Sequence, residues 1–146
     1  MAGRPRFHLA FPVRDLEATR AFYGGVLGAA EGRSAPRWVD FSLWGHQLSA
    51  HLVERPAAPA TNGVDGDAVP VPHFGCILPW EAWEALAVRL EAKGVPFRIA
   101  PRVRFQGEAG EQGTFFVDDP SGNALEFKAF RHDDGVFATA SDPTAP

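Results

Sequence analysis

"RFHLAFPVRDLEATRAFYGGVLG", residues 6–28, decides the fold. Its first part, "RFHLAFPV" (6–13), has the alternation of a short β-strand. The rest, "RDLEATRAFYGGVLG" (14–28), reads as a helix with Asp15 as N-cap and Gly28 as its stop. Leu16, Tyr23, Val26 and Leu27 supply the apolar face of that helix. Three further strand-like runs follow, "AAEGRS" (29–34), "RWVDFSLW" (37–44) and "HQLSAHLVE" (46–54), parted by turn residues. The order is βαβββ.

The same order then recurs. "PHFGCIL" (72–78) is a strand, and "PWEAWEALAVRLEAKG" (79–94) is a helix ended by Gly94. In that helix Trp83, Leu86, Ala87 and Leu90 form the i, i+3, i+4, i+7 stripe. "PFRIAPRVRF" (96–105), "GTFFVDD" (113–119) and "NALEFKAF" (123–130) complete a second unit, with "DDPSGN" (118–123) as the turn before its last strand. The fold class is therefore α+β, built from two βαβββ modules. Residues 1–131 are read as one domain, with module one at 6–54, a Pro- and Gly-rich linker or loop at 55–72 and module two at 73–131. Residues 132–146 are polar and small and read as a loosely ordered tail.

Composition narrows the function. At 146 residues, 45% hydrophobic and 22% charged, the chain has the make-up of an ordinary soluble domain. A formal net charge of −4 with scattered basic residues argues against nucleic acid as partner. The lone Cys76 excludes an internal disulfide framework and a cysteine zinc cluster. No run suits a signal peptide or a membrane span, so a cytoplasmic location away from membranes is expected. Twelve Phe and four Trp against one Tyr favour apolar pockets with few phenols for chemistry.

The duplication singles out four positions. His8 and His73 lie in the first strand of their modules, and an ungapped alignment of Phe41 with Phe116 brings His51 opposite Glu126. Singly, each reads as a surface polar residue. Together, two imidazoles and a carboxylate at matched places form a set that suits Fe(II), Mn, Ni or Zn and leaves coordination positions open. His51, on the polar face of "HQLSAHL" with Gln47 and Ser49, is a fourth ligand, an acid/base beside the metal, or a structural histidine.

The chain also resembles a known family. "FHLAFPVRDLEATRAFYGGVLG", "VPHF" and "DDPSGNALEF" are similar to stretches of the vicinal oxygen chelate superfamily, over about residues 6–131. Its members include glyoxalase I, fosfomycin- and bleomycin-resistance proteins and extradiol dioxygenases. "FPVRDLEATRAFYGGVLG" and "GHQLSAHL" are closest to small extradiol-type dioxygenases. The resemblance implies an eight-stranded open barrel, a homodimer, and His8, His73 and Glu126 as metal ligands. It also places a fourth ligand of glyoxalase-type members near His51. The expected function is an Fe(II) enzyme that chelates a small substrate, such as an aromatic diol, through vicinal oxygens and cleaves its ring with His51 as catalytic acid/base. Phe41, Phe105, Phe115 or Trp44 would wall the ring. Extradiol enzymes place a Tyr near the iron, whereas Tyr23 here lies on a helix and is expected to pack.

The alternatives are a glyoxalase-like lyase or isomerase, a thiol transferase using Arg98, Arg102 and Arg104 for an anionic substrate, and a metal-free binding protein. His46 is expected to cap a turn, Cys76 to be a buried inert thiol, and "GEAGEQG" (107–113) to be a turn or a lid.

Overall fold

The computed structural model describes residues 3–56 and 58–139. They form two compact units, one comprising Met1–Ala58 with Asp119–Asn123, the other Pro59–Asp118 with Ala124–Pro146.

The first unit holds β1 (His8–Val13), α1 (Leu16–Arg20), β2 (Ala30–Ala35), β3 (Trp38–Leu43) and β4 (His46–Leu52), in sheet order β1-β4-β3-β2. The Asp15 side chain caps α1 by accepting from the Ala18 N–H at 2.8 Å. The helix continues as a π-helix over Ala21–Val26, with Leu27 N–H bonded to the Phe22 carbonyl. Widening the turn at "AFYGGV" changes the buried face to Thr19, Phe22, Tyr23 and Leu27, while Leu16 and Val26 are half-buried. Tyr23 packs against Phe11, Phe22 and Phe41 and donates its hydroxyl to Asp119 at 2.9 Å. Asp119 in turn accepts from the backbone of Ser121 and Asn123. The "AFY" helix and the "DPSGN" turn are thus bound to each other.

The second unit holds β7 (Phe74–Ile77), α2 (Trp80–Ala92), β8 (Phe97–Arg104), β9 (Gln112–Asp118) and β10 (Ala124–Phe130), in order β7-β10-β9-β8. Both modules therefore have the same topology: the first strand pairs parallel to the last, and the remaining pairs are antiparallel. Trp83, Leu86 and Leu90 bury the face of α2, and the Trp83 indole donates to the Phe127 carbonyl at 3.0 Å. Two glycines allow close packing. A Cβ on Gly113 would meet the Trp83 ring at 2.6 Å, and one on Gly75 would meet the Glu126 carbonyl oxygen at 1.6 Å.

The stretch 55–72, expected to be an aperiodic linker, instead contains a hairpin of β5 (Ala60–Val64) and β6 (Asp67–Val71). Its Asp65-Gly66 turn has φ of 48° and 82°, the positive values that a two-residue hairpin turn requires. The "DG" pair was the available signal, and the surrounding Pro and Ala masked it. The strand arginines hold this hairpin. Arg102 bonds Asp65 and Asp67, and the buried Arg104 bonds Asp67 at 2.8 Å.

After β10 a 3-10 turn spans Asp133–Phe137, and residues 140–146 of the expected tail lie outside the described residues. Among the described residues no helix is long and apolar enough to cross a membrane.

Candidate metal centre

Alternation gives each sheet an apolar helix-facing side and a polar side. In the second unit Phe115, Val117, Leu125 and Phe127 occupy the apolar side, leaving Thr114, Phe116, Glu126 and Lys128 on the other. His73, one residue ahead of β7, meets this polar side. Its Nε2 lies 3.2 Å from Glu126 Oε1, and its ring is edge-on to Phe116 at 5.0 Å between centroids.

The other atoms of the pair are also held. His73 Nδ1 lies 2.7 Å from the Pro70 carbonyl, which can only accept, so Nδ1 carries the proton. The Thr114 hydroxyl donates to Glu126 Oε2, and Thr114 is fully buried. A neutral His73 would then present a bare Nε2 lone pair to a carboxylate oxygen. Two electron-rich atoms at 3.2 Å repel unless a cation lies between them. In the metal-free protein that cation is a proton. The hydrogen bond to Glu126 outweighs burial and raises His73 above the ordinary imidazole value. Burial pushes the Glu126 carboxyl up, but hydrogen bonds from His73 and Thr114 outweigh it and hold the group below the ordinary carboxylate range. A divalent ion could replace the proton, since neutral imidazole and carboxylate are both good donors to one. Outer partners that fix ring and carboxylate orientation are usual at such sites. The pair thus offers two donors of the kinds that suit a divalent ion.

His8 belongs to the first unit, so the structure pairs His73 with Glu126 and places His8 among other neighbours. Its Nδ1 is 2.8 Å from Gln47 Oε1. Among the described residues no three His, Cys, Asp or Glu side chains cluster. The polar side of this sheet carries His8, Asp40, Gln47, Ser49 and His51, while Val39, Phe41, Leu43, Leu48 and Ala50 are buried on the other side. His51 therefore shares a face with His8.

The register corrects the alignment that brought His51 opposite Glu126. The β3–β4 turn leaves two residues unpaired, 44 and 45, and the β9–β10 turn leaves five, 119–123. No ungapped alignment spans turns of unequal length. Phe41 also faces the helix side, whereas Phe116 faces His73. With His8 matched to His73, Ser49 takes the place of Glu126 and His51 that of Lys128. His51 thus lies two residues, roughly 7 Å, beyond the Glu126 position.

Other expectations resolve singly. Phe41 and Phe115 are buried in the helix-side packing, although Phe41 borders the cleft beside Asp40, while Trp44 and Phe105 sit exposed at turns; Phe116 is the aromatic beside His73. Tyr23 packs as expected, and burial followed by the Asp119 charge raises its phenol well above the usual value. Arg98 pairs with Asp118, and Arg102 and Arg104 with the hairpin acids, so acidic partners already engage all three arginines. His46 accepts from the Phe7 N–H at 2.9 Å. Burial raises the Cys76 thiol to about 11, as expected of an inert cysteine. The "GEAGEQG" turn is tied by Glu111 to the Gly107 N–H and to Arg131.

The reading of the sequence missed Asp40. It is 6% exposed, accepts from the Ser49 hydroxyl at 2.6 Å, and lines a cleft of about 260 Å³ with Arg6, Arg33, His46 and Gln47. An Asp amid "WVDFSLW", out of phase with Val39, Phe41 and Leu43, was the signal.

Comparison with known proteins agrees with this fold. The family model of the glyoxalase/bleomycin resistance protein/dioxygenase superfamily matches residues 7–127. A crystal structure of a protein described by that family name, from Alicyclobacillus acidocaldarius, is 32% identical, with a TM-score of 0.76 over 92% of this chain and 97% of that one. Two more distant structures share the fold. The fosfomycin resistance protein FosX of Listeria monocytogenes is 21% identical, TM-score 0.66, covering 92% of this chain and 98% of that one. A virulence protein of Salmonella typhimurium is 19% identical, TM-score 0.62, covering 89% and 99%. No curated protein matches the chain. From its paired βαβββ modules and the family match over most of its length, the chain belongs to the glyoxalase/bleomycin resistance protein/dioxygenase superfamily.

Proposed function

We propose that the protein is a metal-dependent enzyme that takes a small substrate through two neighbouring oxygens and, with Fe(II) and O₂, cleaves a catechol-type ring. His73 and Glu126 are ligands in this reading, with His8 as the third. The observation that carries it is the His73–Glu126 pair, whose facing lone pairs at 3.2 Å call for a cation.

When bound, the metal supplies Lewis acidity and open positions for a chelating substrate. The protein's own groups do the rest. The Pro70 carbonyl and Thr114 hydroxyl hold the two ligands in orientation. Phe116 gives an apolar edge beside His73, and Lys128 on the same face attracts an ionised diol. His51, at the register place that Lys128 holds in the second module, acts on substrate protons as a general acid/base. It takes the part that Tyr23, bonded to Asp119, does not supply.

Oxygen uptake tests the reaction. Anaerobically purified protein loaded with Fe(II) is mixed with catechols and air. Uptake in step with loss of catechol, abolished by Glu126→Ala and slowed by His51→Ala, is expected. Turnover of a hemithioacetal with Ni or Zn instead would assign the site to glyoxalase-like chemistry. Tight metal-free ligand binding without turnover would make the protein a sequestering one.

A further inference from the structure

The polar side of the first sheet carries a chain of hydrogen bonds that ends on His8. Asp40 Oδ1 accepts from the Ser49 hydroxyl at 2.6 Å, and Asp40 Oδ2 faces the Gln47 Nε2 amide at 3.4 Å. Gln47 Oε1 in turn lies 2.8 Å from His8 Nδ1. An ionised carboxylate can only accept, so it repels the amide oxygen and attracts the amide NH₂. That preference fixes which end of the Gln47 amide meets which neighbour. Its oxygen is left to His8, and an amide oxygen also only accepts. The hydrogen at this contact must then come from His8 Nδ1, which in the neutral imidazole leaves Nε2 without one.

His73 also carries a hydrogen on Nδ1, by another route, since it is donated to the Pro70 carbonyl. In two histidines in different units, with different neighbours, Nδ1 thus carries a hydrogen, and Nε2 is the nitrogen left for a cation. The device in the first unit is also durable. Asp40 is 6% exposed, and a second hydrogen bond from Ser49 fixes it, so its direction does not depend on Gln47. Gln47 itself is exposed, and its position across from His8 in the parallel β1–β4 pair sets its reach.

We propose that Gln47 and Asp40 are positioning residues that hold His8 in the Nδ1–H tautomer, so that its Nε2 is free to bind a divalent metal. The inference rests on the function proposed above, since only a cation-binding role gives the bare nitrogen a use. Asp40 acts through Gln47 and does not itself touch the ion. An outer partner of this kind typically changes metal affinity by about 10- to 100-fold.

The test reads the tautomer directly. Proton–nitrogen NMR correlations through the imidazole ring are recorded on metal-free protein at about pH 8.5, well above the ordinary histidine value near 6.5. Wild type should show His8 protonated at Nδ1. Gln47→Leu, a change at an exposed position, should give a mixture of tautomers with an unchanged fold. Asp40→Asn should do the same by letting the Gln47 amide turn over. The double exchange Asp40→Asn/Gln47→Glu reverses donor and acceptor between the two positions and should restore the Nδ1–H form, which a merely structural role would not do. Cobalt(II) affinity should fall about 10- to 100-fold in Gln47→Leu and recover in the double exchange. His8 protonated at Nε2 in wild type, or a tautomer unaffected by both single variants, would overturn the proposal. Wild type that binds no cobalt would instead overturn the metal-dependent function, in a measurement the tautomer does not enter.

Discussion

In the second module the carboxylate, Glu126, lies on the last strand and meets His73 directly. In the first, the carboxylate, Asp40, lies on β3 and reaches His8 only through Gln47. The sheets are otherwise alike: the same strand order, the same parallel pair, the same polar side. The place Glu126 occupies is taken by Ser49, whose hydroxyl turns to Asp40. One module brings a histidine and a carboxylate into direct contact, and the other ties a single imidazole to an amide. The two modules share a scaffold and differ in the polar contacts it carries.

The largest expected effect lies at the strand pair under Glu126. Gly75 faces Glu126, and its register equivalent in the first module is Ala10, facing Ser49. A Cβ on Gly75 would sit 1.6 Å from the Glu126 carbonyl oxygen, so β7 and β10 would have to separate. Gly75→Ala should cost at least about 3 kcal/mol in urea unfolding, the upper end of ordinary overpacking. The reciprocal Ala10→Gly should cost no more than about 1 kcal/mol. Equal costs would mean the modules are not packed as differently as described.

A smaller effect is expected at Thr114, whose hydroxyl orients Glu126. Thr114→Val keeps the shape and removes the donor. Metal affinity measured by calorimetry should drop about 10- to 100-fold while the protein stays folded. An unchanged affinity would show that Glu126 needs no outer support.

The smallest effect is electrostatic. His73 is raised from its ordinary 6.5, so in metal-free protein its contribution to stability is complete below that pH and is lost as pH rises through the folded value. Glu126 is lowered from its ordinary 4.5, so its contribution is present above that pH and is lost as pH falls through the folded value. The pair therefore stabilises most between 4.5 and 6.5. The stability difference between wild type and Glu126→Gln, both stripped of metal, should be greatest in that window and shrink towards pH 9 or so.

Much of this was legible in the sequence because periodicity and punctuation are local. Asp15 before "LEATR", Gly28 and Gly94 after the helices, and the alternation of "WVDFSLW" and "NALEFKAF" suffice for two βαβββ modules. His73 and Glu126 stood out because the duplication set them against His8 and His51 at matched places of the other module. Register was not legible. It depends on turn lengths of two and five residues, and one slip moves every side chain to the opposite face, as it did for Phe41 against Phe116. The hairpin at 60–71 was hidden because part of what holds it, Arg102 and Arg104, comes from a strand more than thirty residues on. Asp40 was passed over because its burial beside Ser49 follows from β3–β4 pairing and not from its immediate neighbours.

Metal binding by His73→Ala and Glu126→Ala tests the central claim most directly. Wild type purified anaerobically without a tag should hold stoichiometric divalent metal by elemental analysis. Each variant should lose it, by more than the roughly 100-fold that an outer partner can cost, while circular dichroism shows the fold unchanged. Variants that retain metal as wild type does, or that unfold on substitution, would mean that His73 and Glu126 are structural residues and not ligands.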